Sequence, residues 1–208
     1  MFKLEKRPQQ SQKWIYLSPF LAVLITMISG GILFAALGEN PFEAIRIIFW
    51  DPLFDPNFAS YSRPQLLVKA GPLILIAIGL SFGFKAGVWN IGAEGQYILG
   101  AIFGASVALA FYPMESKFIF PLMIIAGALG GFLWALIPAL LKAKLNTNEI
   151  LVSLMLVYVA ESILASVSQG LLKNPDGYGF PGSRNLQNYA SAANVEIIAN
   201  SGMHWGVL

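Results

Sequence analysis

The side chains best suited to hydrogen-bond a polar molecule lie at residues 85–100, between two long apolar runs. Asn90, Glu94 and Gln96 supply amide and carboxylate groups there, and Lys85 precedes them. Polar groups at a membrane boundary are costly unless they face water, protein or a pathway, so these residues are functional candidates. A carboxylate near a helix N-terminus is also stabilised by the helix dipole, so a purely structural role for Glu94 stays open.

Three glycines, Gly87, Gly92 and Gly95, make the backbone of this stretch permissive, as a broken or tightly turning segment requires. Irregular backbone at membrane depth persists only where protein or a water-filled cavity surrounds it. We therefore predict a broken-helix segment that lines a path through the membrane. Its candidate residues are Asn90, Gly92, Glu94 and Gln96.

A second polar group lies inside a later apolar run, where Tyr158, Glu161, Ala165 and Ser168 follow helical spacing on one face. A carboxylate near the middle of a membrane costs about 2.5 kcal/mol or more, so exposure of Glu161 to lipid is disfavoured. We predict that Glu161 and Tyr158 face the bundle interior or a pathway. The alternative is a structural glutamate that is satisfied by a polar partner.

A third polar group separates two apolar runs at residues 142–149. One of the three residues 146–148 can accept backbone N–H bonds as a helix cap, and Glu149 then complements the dipole in the first turn. The group is either a rigid, capped element or an ordinary solvated turn whose lysines only set topology. Its members are Lys142, Lys144, Asn146, Thr147, Asn148 and Glu149.

The residues offer no constellation for catalysis. The single histidine, His204, excludes a multi-histidine metal site, and the absence of cysteine excludes thiol chemistry and disulfides. The sequence has no Gly-x-x-x-x-Gly-Lys-Ser/Thr loop for ATP. We therefore expect no enzyme activity, metal or cofactor, and any uphill movement of solute would draw on a partner subunit or an ion gradient. A net charge of +2 is too small to indicate nucleic acid as a partner.

The elements that carry these groups are predicted to be membrane-spanning helices. Hydrophobic residues make up 56% of the chain and charged residues 12%, which is typical of a polytopic membrane protein. A spanning helix needs about 20 mostly apolar residues. Five runs qualify, at residues 17–37, 66–84, 91–112, 118–141 and 150–172. We predict an all-α bundle of five spans, with the possible start of a sixth at residues 203–208.

The distribution of basic residues predicts the orientation of the bundle. The apolar core of a signal peptide has about 7–15 residues. The first apolar run is longer, so we interpret it as a retained helix. Residues 1–16 form a basic segment that the positive-inside rule places in the cytoplasm, together with Lys85, Lys142 and Lys144. Residues 17–208 then form the transmembrane domain, with external loops near 38–65 and 173–203. Lys117, Lys173 and Arg184 fall outside, so the bias is moderate.

Glycines four residues apart recur in the predicted spans. This spacing aligns small residues on one helix face and lets backbones approach closely. Tight packing within the bundle is the favoured interpretation, and a seam between two subunits is the alternative. The pairs are Gly79 and Gly83, Gly83 and Gly87, Gly100 and Gly104, and Gly127 and Gly131.

Two segments resemble one known family. The sequence from Asn90 to Gln96 is Asn-Ile-Gly-Ala-Glu-Gly-Gln. It resembles the signature of the permease subunit of bacterial ABC importers for nucleosides and simple sugars. These subunits belong to the superfamily of branched-chain amino acid and ribose type permeases. Residues 142–160 resemble the family's stretch in which a basic cytoplasmic loop runs through an Asn-Glu pair into a Leu-Met-Leu helix. The resemblance extends from about Leu66 to the loop near Pro181.

The resemblance implies a multi-pass subunit of the bacterial cytoplasmic membrane. In such importers a periplasmic or lipoprotein binding protein delivers the solute, two permease subunits form the pathway, and cytoplasmic ATPases drive transport. It further implies that residues 142–149 couple to the ATPase, that the cargo is a nucleoside or a simple sugar, and that this chain is the N-terminal part of a longer permease. A secondary transporter or channel that works without an ATPase is the alternative.

Overall fold

The computed structural model describes residues 11–180, 182–193, 195–197 and 202–204, and most of them are helical. The elements are α1 (Gln12–Ala36), α2 (Pro41–Ile45), a π-helical turn (Arg46–Trp50), α3 (Asp51–Phe54), α4 (Ala59–Lys85), α5 (Ala93–Ala110), α6 (Ile119–Leu145), α7 (Glu149–Gln169) and a 3-10 turn (Leu186–Asn188). Within the described ranges, β pairing is limited to one isolated bridge between Glu196 and His204. The predicted all-α fold is confirmed.

The five long helices coincide with the five predicted spans. α1, α4, α5, α6 and α7 are each long and apolar enough to cross a membrane. Most of their large apolar side chains are exposed, as expected for helices that face lipid. Two sequence predictions fall largely outside the described residues: the basic segment 1–16, of which 1–10 are not described, and the sixth span at 203–208, of which 205–208 are not described.

The external loop predicted near residues 38–65 contains short helices, since α2, the π-helical turn, α3 and the first turns of α4 occupy most of it. Its Asn, Asp and Pro residues begin helices here instead of forming an irregular turn. Asn40 Oδ1 accepts the N–H of Phe42 at 3.1 Å. Asp55 Oδ1 accepts the N–H groups of Asn57 at 2.9 Å and Phe58 at 3.0 Å.

The chain divides into two compact units, Met1–Leu66 and Leu67–Leu208, with the boundary inside α4. In the first unit, the chain reverses direction at Gly38, which has a φ of +86°. The N–H of Glu39 donates to the carbonyl of Phe34 at 3.0 Å, so the turn satisfies a carbonyl at the end of α1. The reversal lays α2 back along α1.

The second unit is built around the α5–α6 hairpin, whose backbones approach through the predicted glycines. A Cβ on Gly100 would lie 3.0 Å from the carbonyl oxygen of Gly127, and one on Gly104 would lie 3.2 Å from that of Met123. A Cβ on Gly131 would lie 3.2 Å from the carbonyl oxygen of Gln96. The predicted packing role of these glycines is confirmed for the α5–α6 pair.

The predicted pair on α4, Gly79 and Gly83, behaves differently. A Cβ on Gly79 would meet nothing within 4 Å, and one on Gly83 would meet only the carbonyl oxygen of Val88, 3.3 Å away. These two positions on α4 therefore leave an open surface within the described part of the second unit.

Residues after α7 fold over the connection between α5 and α6. The hydroxyl of Tyr189 donates to the carbonyls of Met114 and Phe111. Ser191 Oγ accepts the N–H of Ser116 at 3.0 Å. Tyr189 also packs with Ala108 and Ile119 in a small core, so this segment and the α5–α6 connection lie at the same end of the unit.

Gly130 provides a test of the hairpin packing. A Cβ at this position would lie 2.7 Å from Phe103 Cγ and 2.9 Å from the carbonyl oxygen of Leu99, so the helices must shift to admit it. We expect Gly130→Ala to destabilise the protein by about 1–3 kcal/mol, as overpacking does. Gly79→Ala is the matched control, because its Cβ meets open space. Thermal unfolding in detergent measures both, and equal midpoints for the two variants would contradict the packing described.

Candidate functional site

The segment between α4 and α5 begins with a glycine turn that ends α4 at Lys85. Gly87 has a φ of +74°, a conformation that side chains other than glycine rarely adopt. The N–H of Val88 donates to the carbonyl of Gly83 at 2.9 Å, which satisfies the end of the helix. The ring of Trp89 lies 5.0 Å from that of Phe84. Residues 86–92 are therefore an ordered, non-helical connection.

Ser153 on α7 holds this connection in place. Its Oγ accepts the N–H of Ile91 at 3.2 Å and donates to the carbonyl of Ile150 at 3.2 Å. The residue is only 2% exposed. Asn90 Oδ1 accepts the N–H of Gly92 at 2.8 Å, so the amide of this predicted site residue shapes the turn into α5.

Gly92 and Gly95 serve close packing against α7. A Cβ on Gly92 would lie 2.8 Å from the carbonyl oxygen of Ser153 and 2.9 Å from its Cβ. A Cβ on Gly95 would lie 3.2 Å from the carbonyl oxygen of Leu156 and 3.1 Å from Trp134 Nε1. Conformational freedom was predicted for all three glycines, but only Gly87 needs it. Gly92 and Gly95 are needed because the close approach to the neighbouring helices leaves no room for a side chain.

Glu94 and Gln96 begin α5 but differ in their surroundings. Glu94 lies in the first turn and is exposed, and within the described residues its carboxylate makes no hydrogen bond or ion pair. Its position matches the dipole-stabilising interpretation. Gln96 is half-buried and lines two clefts.

The turn between α6 and α7 has a capped structure. Asn146 adopts a left-handed conformation, with a φ of +49°, and ends α6 by donating its N–H to the carbonyl of Lys142 at 3.0 Å. Asn148 is the N-cap of α7, since its Oδ1 accepts the N–H groups of Ile150 at 3.0 Å and Leu151 at 3.3 Å. Of the three possible caps, the structure thus selects Asn148. Thr147 Oγ1 is buried without a hydrogen-bond partner.

An ion pair closes this turn. Lys142 Nζ lies 3.0 Å from Glu149 Oε2 and joins the last turn of α6 to the first turn of α7. The exposed Lys144 makes no ion pair in the part of the chain that the structure describes. The Lys142–Glu149 pair also borders Val88 and Asn90, because all four residues line one cleft.

Asn90 and Gln96 of the first polar group thus share one site with Lys142 and Glu149 of the third group. These four residues line a cleft of about 380 Å³ in the second unit, whereas Glu94, Lys144 and the residues 146–148 do not line it. A second cleft of about 360 Å³ lies between α4 and α5, along the open glycine positions, and also reaches Asn90 and Gln96. The first cleft is lined by Gly83, Val88, Asn90, Gln96, Ala135, Pro138, Ala139, Lys142, Ala143, Glu149 and Ser153.

Tyr158 and Glu161 are not part of this site. Both are exposed on α7, on a different face from Ser153, Val157 and Ala160, which are buried. Glu161 lies about 18 Å along the helix from Glu149 at 1.5 Å per residue. Within the described residues, no group of three or more His, Asp or Glu side chains could hold a metal ion.

Ser153 is the site residue that the sequence analysis missed. It stands one turn after the Asn148–Glu149 pair, within the apolar first half of α7 (residues 150–157). An isolated hydroxyl in this part of a membrane helix, where it can meet a neighbouring backbone, was the available signal.

Comparison with known proteins connects this arrangement to transport systems. Residues 63–200 match the family model of the branched-chain amino acid transport system permease component. The chain is 36% identical over 179 residues to a glucose ABC transporter permease protein of Haloferax volcanii, an alignment that covers 86% of this chain and 46% of that protein.

Two further relatives are nucleoside permeases. The chain is 32% identical over 143 residues to a nucleoside ABC transporter permease protein of Lactococcus lactis, covering 69% of this chain and 38% of that protein. It is 28% identical over 144 residues to a guanosine ABC transporter permease protein of Bacillus subtilis, covering 69% and 40%. No solved structure matches significantly.

The chain spans less than half the length of these relatives. The matched region contains α5, α6 and α7 and most of α4, together with the site that these helices form. The chain therefore belongs to the family of branched-chain amino acid type permease components of transport systems.

Proposed function

We propose that this chain forms part of the membrane-spanning permease subunit of an ATP-driven ABC importer for a nucleoside or a simple sugar. The observation that carries the proposal is the hydrogen bond from Ile91 to Ser153, which holds residues 86–92 on α7 beside a cleft that they share with Lys142 and Glu149. The family match and the glucose, nucleoside and guanosine permeases among the relatives support the cargo class.

The α6–α7 turn is the proposed contact for a cytoplasmic ATPase. A surface that transmits force must move as a body, and three features stiffen this one: the Asn148 cap, the left-handed Asn146 and the Lys142–Glu149 pair. Lys144 remains exposed and available to a partner protein. A displacement of the turn would pass through Glu149 and Ser153 to residues 86–92.

The two clefts are the proposed route for the solute. Their volumes of about 380 and 360 Å³ fall within the range of about 300–1,000 Å³ that is usual for small-molecule sites. Both are mainly apolar and share the amide side chains of Asn90 and Gln96. Amides both donate and accept hydrogen bonds, which suits the hydroxyl groups and ring nitrogens of nucleosides and sugars.

The proposed importer is a protein of the bacterial cytoplasmic membrane with its N-terminus in the cytoplasm. The positive-inside rule supports a cytoplasmic position for Lys85, Lys142 and Lys144. The proposed partners are a second permease subunit, identical or related, a cytoplasmic ABC ATPase, and a periplasmic or lipoprotein binding protein. Membrane lipid surrounds the remaining surface.

Tyr158 and Glu161 are proposed to face protein or a water-filled pathway in the assembled importer. Tyr158 is 58% exposed and Glu161 is exposed too, and both lie well inside a span. A carboxylate facing lipid at that depth would be unfavourable by about 2.5 kcal/mol or more. The second permease subunit would cover this face.

Loss of the Glu149 carboxylate tests the coupling role. In the complete importer, reconstituted with its ATPase and binding protein, we expect Glu149→Gln to reduce solute uptake several-fold while ATP hydrolysis continues. The reason is that the α6–α7 turn loses the ion pair between Lys142 and Glu149. Parallel assays of uptake and phosphate release measure the two activities.

Glu115→Gln is the matched control, because it makes the same change at an exposed carboxylate that forms no ion pair in the described residues and lies at the other end of α6, and we expect it to retain normal uptake per ATP. Equal uptake per ATP in Glu149→Gln and the wild type would contradict the coupling role. Uptake that needs no ATPase and collapses when an ionophore dissipates the ion gradients would instead favour a secondary transporter.

The absence of cysteine permits a direct test of orientation. Lys144→Cys and Lys117→Cys introduce thiols at exposed positions at opposite ends of α6. Lys144 lies in the last turn of this helix, and Lys117 lies just before its first residue. We expect an impermeant maleimide added to intact cells to label Lys117→Cys and to spare Lys144→Cys. The reverse pattern would overturn both the orientation and the ATPase contact.

A further inference from the structure

The connection between α1 and α4 combines internally satisfied polar groups with exposed apolar side chains. We propose that residues 40–58, named here the interfacial segment, lie in the headgroup region of the membrane and insert their aromatic side chains at the boundary with the acyl chains. The occupant of this surface is lipid. The role is separate from solute transport and is carried by the first unit alone.

The depth of the segment follows from its contact with α1. A Cβ on Gly31 would lie 3.5 Å from Ile45 Cδ1 and 3.6 Å from Pro41 Cβ. Gly31 precedes the end of α1 at Ala36, which corresponds to about 7.5 Å along the helix at 1.5 Å per residue. α2 therefore lies beside the span and not beyond it. Helices in a membrane interface are typically buried by about 5–10 Å.

Several polar side chains of the segment find partners within the first unit. Arg46 Nε lies 3.1 Å from Asp51 Oδ1. The carbonyls at the end of α3 are also satisfied, because Arg63 Nε donates to the carbonyl of Leu53 at 2.6 Å and Ser62 Oγ donates to that of Pro52. With the caps at Asn40 and Asp55, these bonds lower the cost of moving the short helices out of bulk water.

The exposed surface of the segment is dominated by large apolar side chains. Phe42 is 83% exposed and Trp50 is 58% exposed. Aromatic residues, tryptophan and tyrosine above all, are enriched at the boundary between headgroups and acyl chains. The exposed apolar residues are Phe42, Ile47, Ile48, Phe49, Trp50, Leu53, Phe54 and Phe58.

Lipid is favoured over a protein partner because the segment continues directly into membrane spans at both ends. α1 precedes it, α4 follows it, and both helices expose apolar side chains of the same kind. A continuous apolar surface at interface depth is what the lipid boundary covers.

Nitroxide labels on single cysteines test the proposal in the otherwise cysteine-free chain. Phe42→Cys and Phe49→Cys probe the exposed aromatic surface, and Glu39→Cys and Asn57→Cys are controls at polar, exposed positions beside it. The chain is reconstituted in vesicles of phosphatidylethanolamine and phosphatidylglycerol. Power saturation then compares collisions with oxygen, which concentrates in lipid, and with a water-soluble nickel chelate.

We expect the ratio of oxygen to nickel accessibility to be several-fold higher at residues 42 and 49 than at residues 39 and 57. Equal, nickel-dominated accessibility at all four positions would show that the segment is in water and would overturn the proposal. Immobile labels at 42 and 49 that neither reagent reaches would show that protein covers the surface, and would overturn it as well. Normal folding of each variant is checked by its elution as a monodisperse species in detergent.

Discussion

The close approach of Gly92 to Ser153 is the contact on which the arrangement of the second unit depends. A Cβ at Gly92 would lie within 2.9 Å of two Ser153 atoms, so the start of α5 can reach α7 only because residue 92 has no side chain. The same approach brings the N–H of Ile91 to the hydroxyl of Ser153. Without it, residues 86–92 would have no anchor on α7, and the cleft beside Asn90 would lose one wall.

The second general constraint is the satisfaction of helix ends near a membrane, where unpaired backbone groups are costly. The chain meets it with short, local devices. Gly38 and Gly87 adopt positive φ values and close α1 and α4, and Asn146 does the same for α6. Asn40 and Asn148 cap the helices that follow. Such turns are rigid, and their backbone groups are hydrogen-bonded. Both properties suit a proposed contact with a moving ATPase.

Much of this structure could be predicted from the sequence because the membrane restricts the possible folds. Apolar runs longer than a signal-peptide core specify helices, and all five long helices were predicted. Glycines four residues apart predicted the close α5–α6 packing. The short helices over residues 41–54 were missed, because Asn, Asp and Pro begin helices and form turns alike, and only the surrounding contacts decide between the two.

The candidate site could be predicted only in parts. Asn90, Glu149 and the neighbouring polar residues were identified by their types, but their meeting at one cleft depends on the bond between Ile91 and Ser153. Contacts between segments more than 50 residues apart leave no local pattern in one sequence. Likewise, the sequence offered three possible caps for α7, and only the backbone conformation of the turn distinguishes Asn148 from Asn146.

We propose that residues 86–92 and the α6–α7 turn move as one body in the working importer. Spin labels on Val88→Cys and Lys144→Cys in one chain measure the distance between these two segments by pulsed electron resonance. If the two segments move together, the distance distribution is the same in the nucleotide-free and ATP-trapped states of the complete importer. A distribution that shifts or broadens between the two states would contradict it.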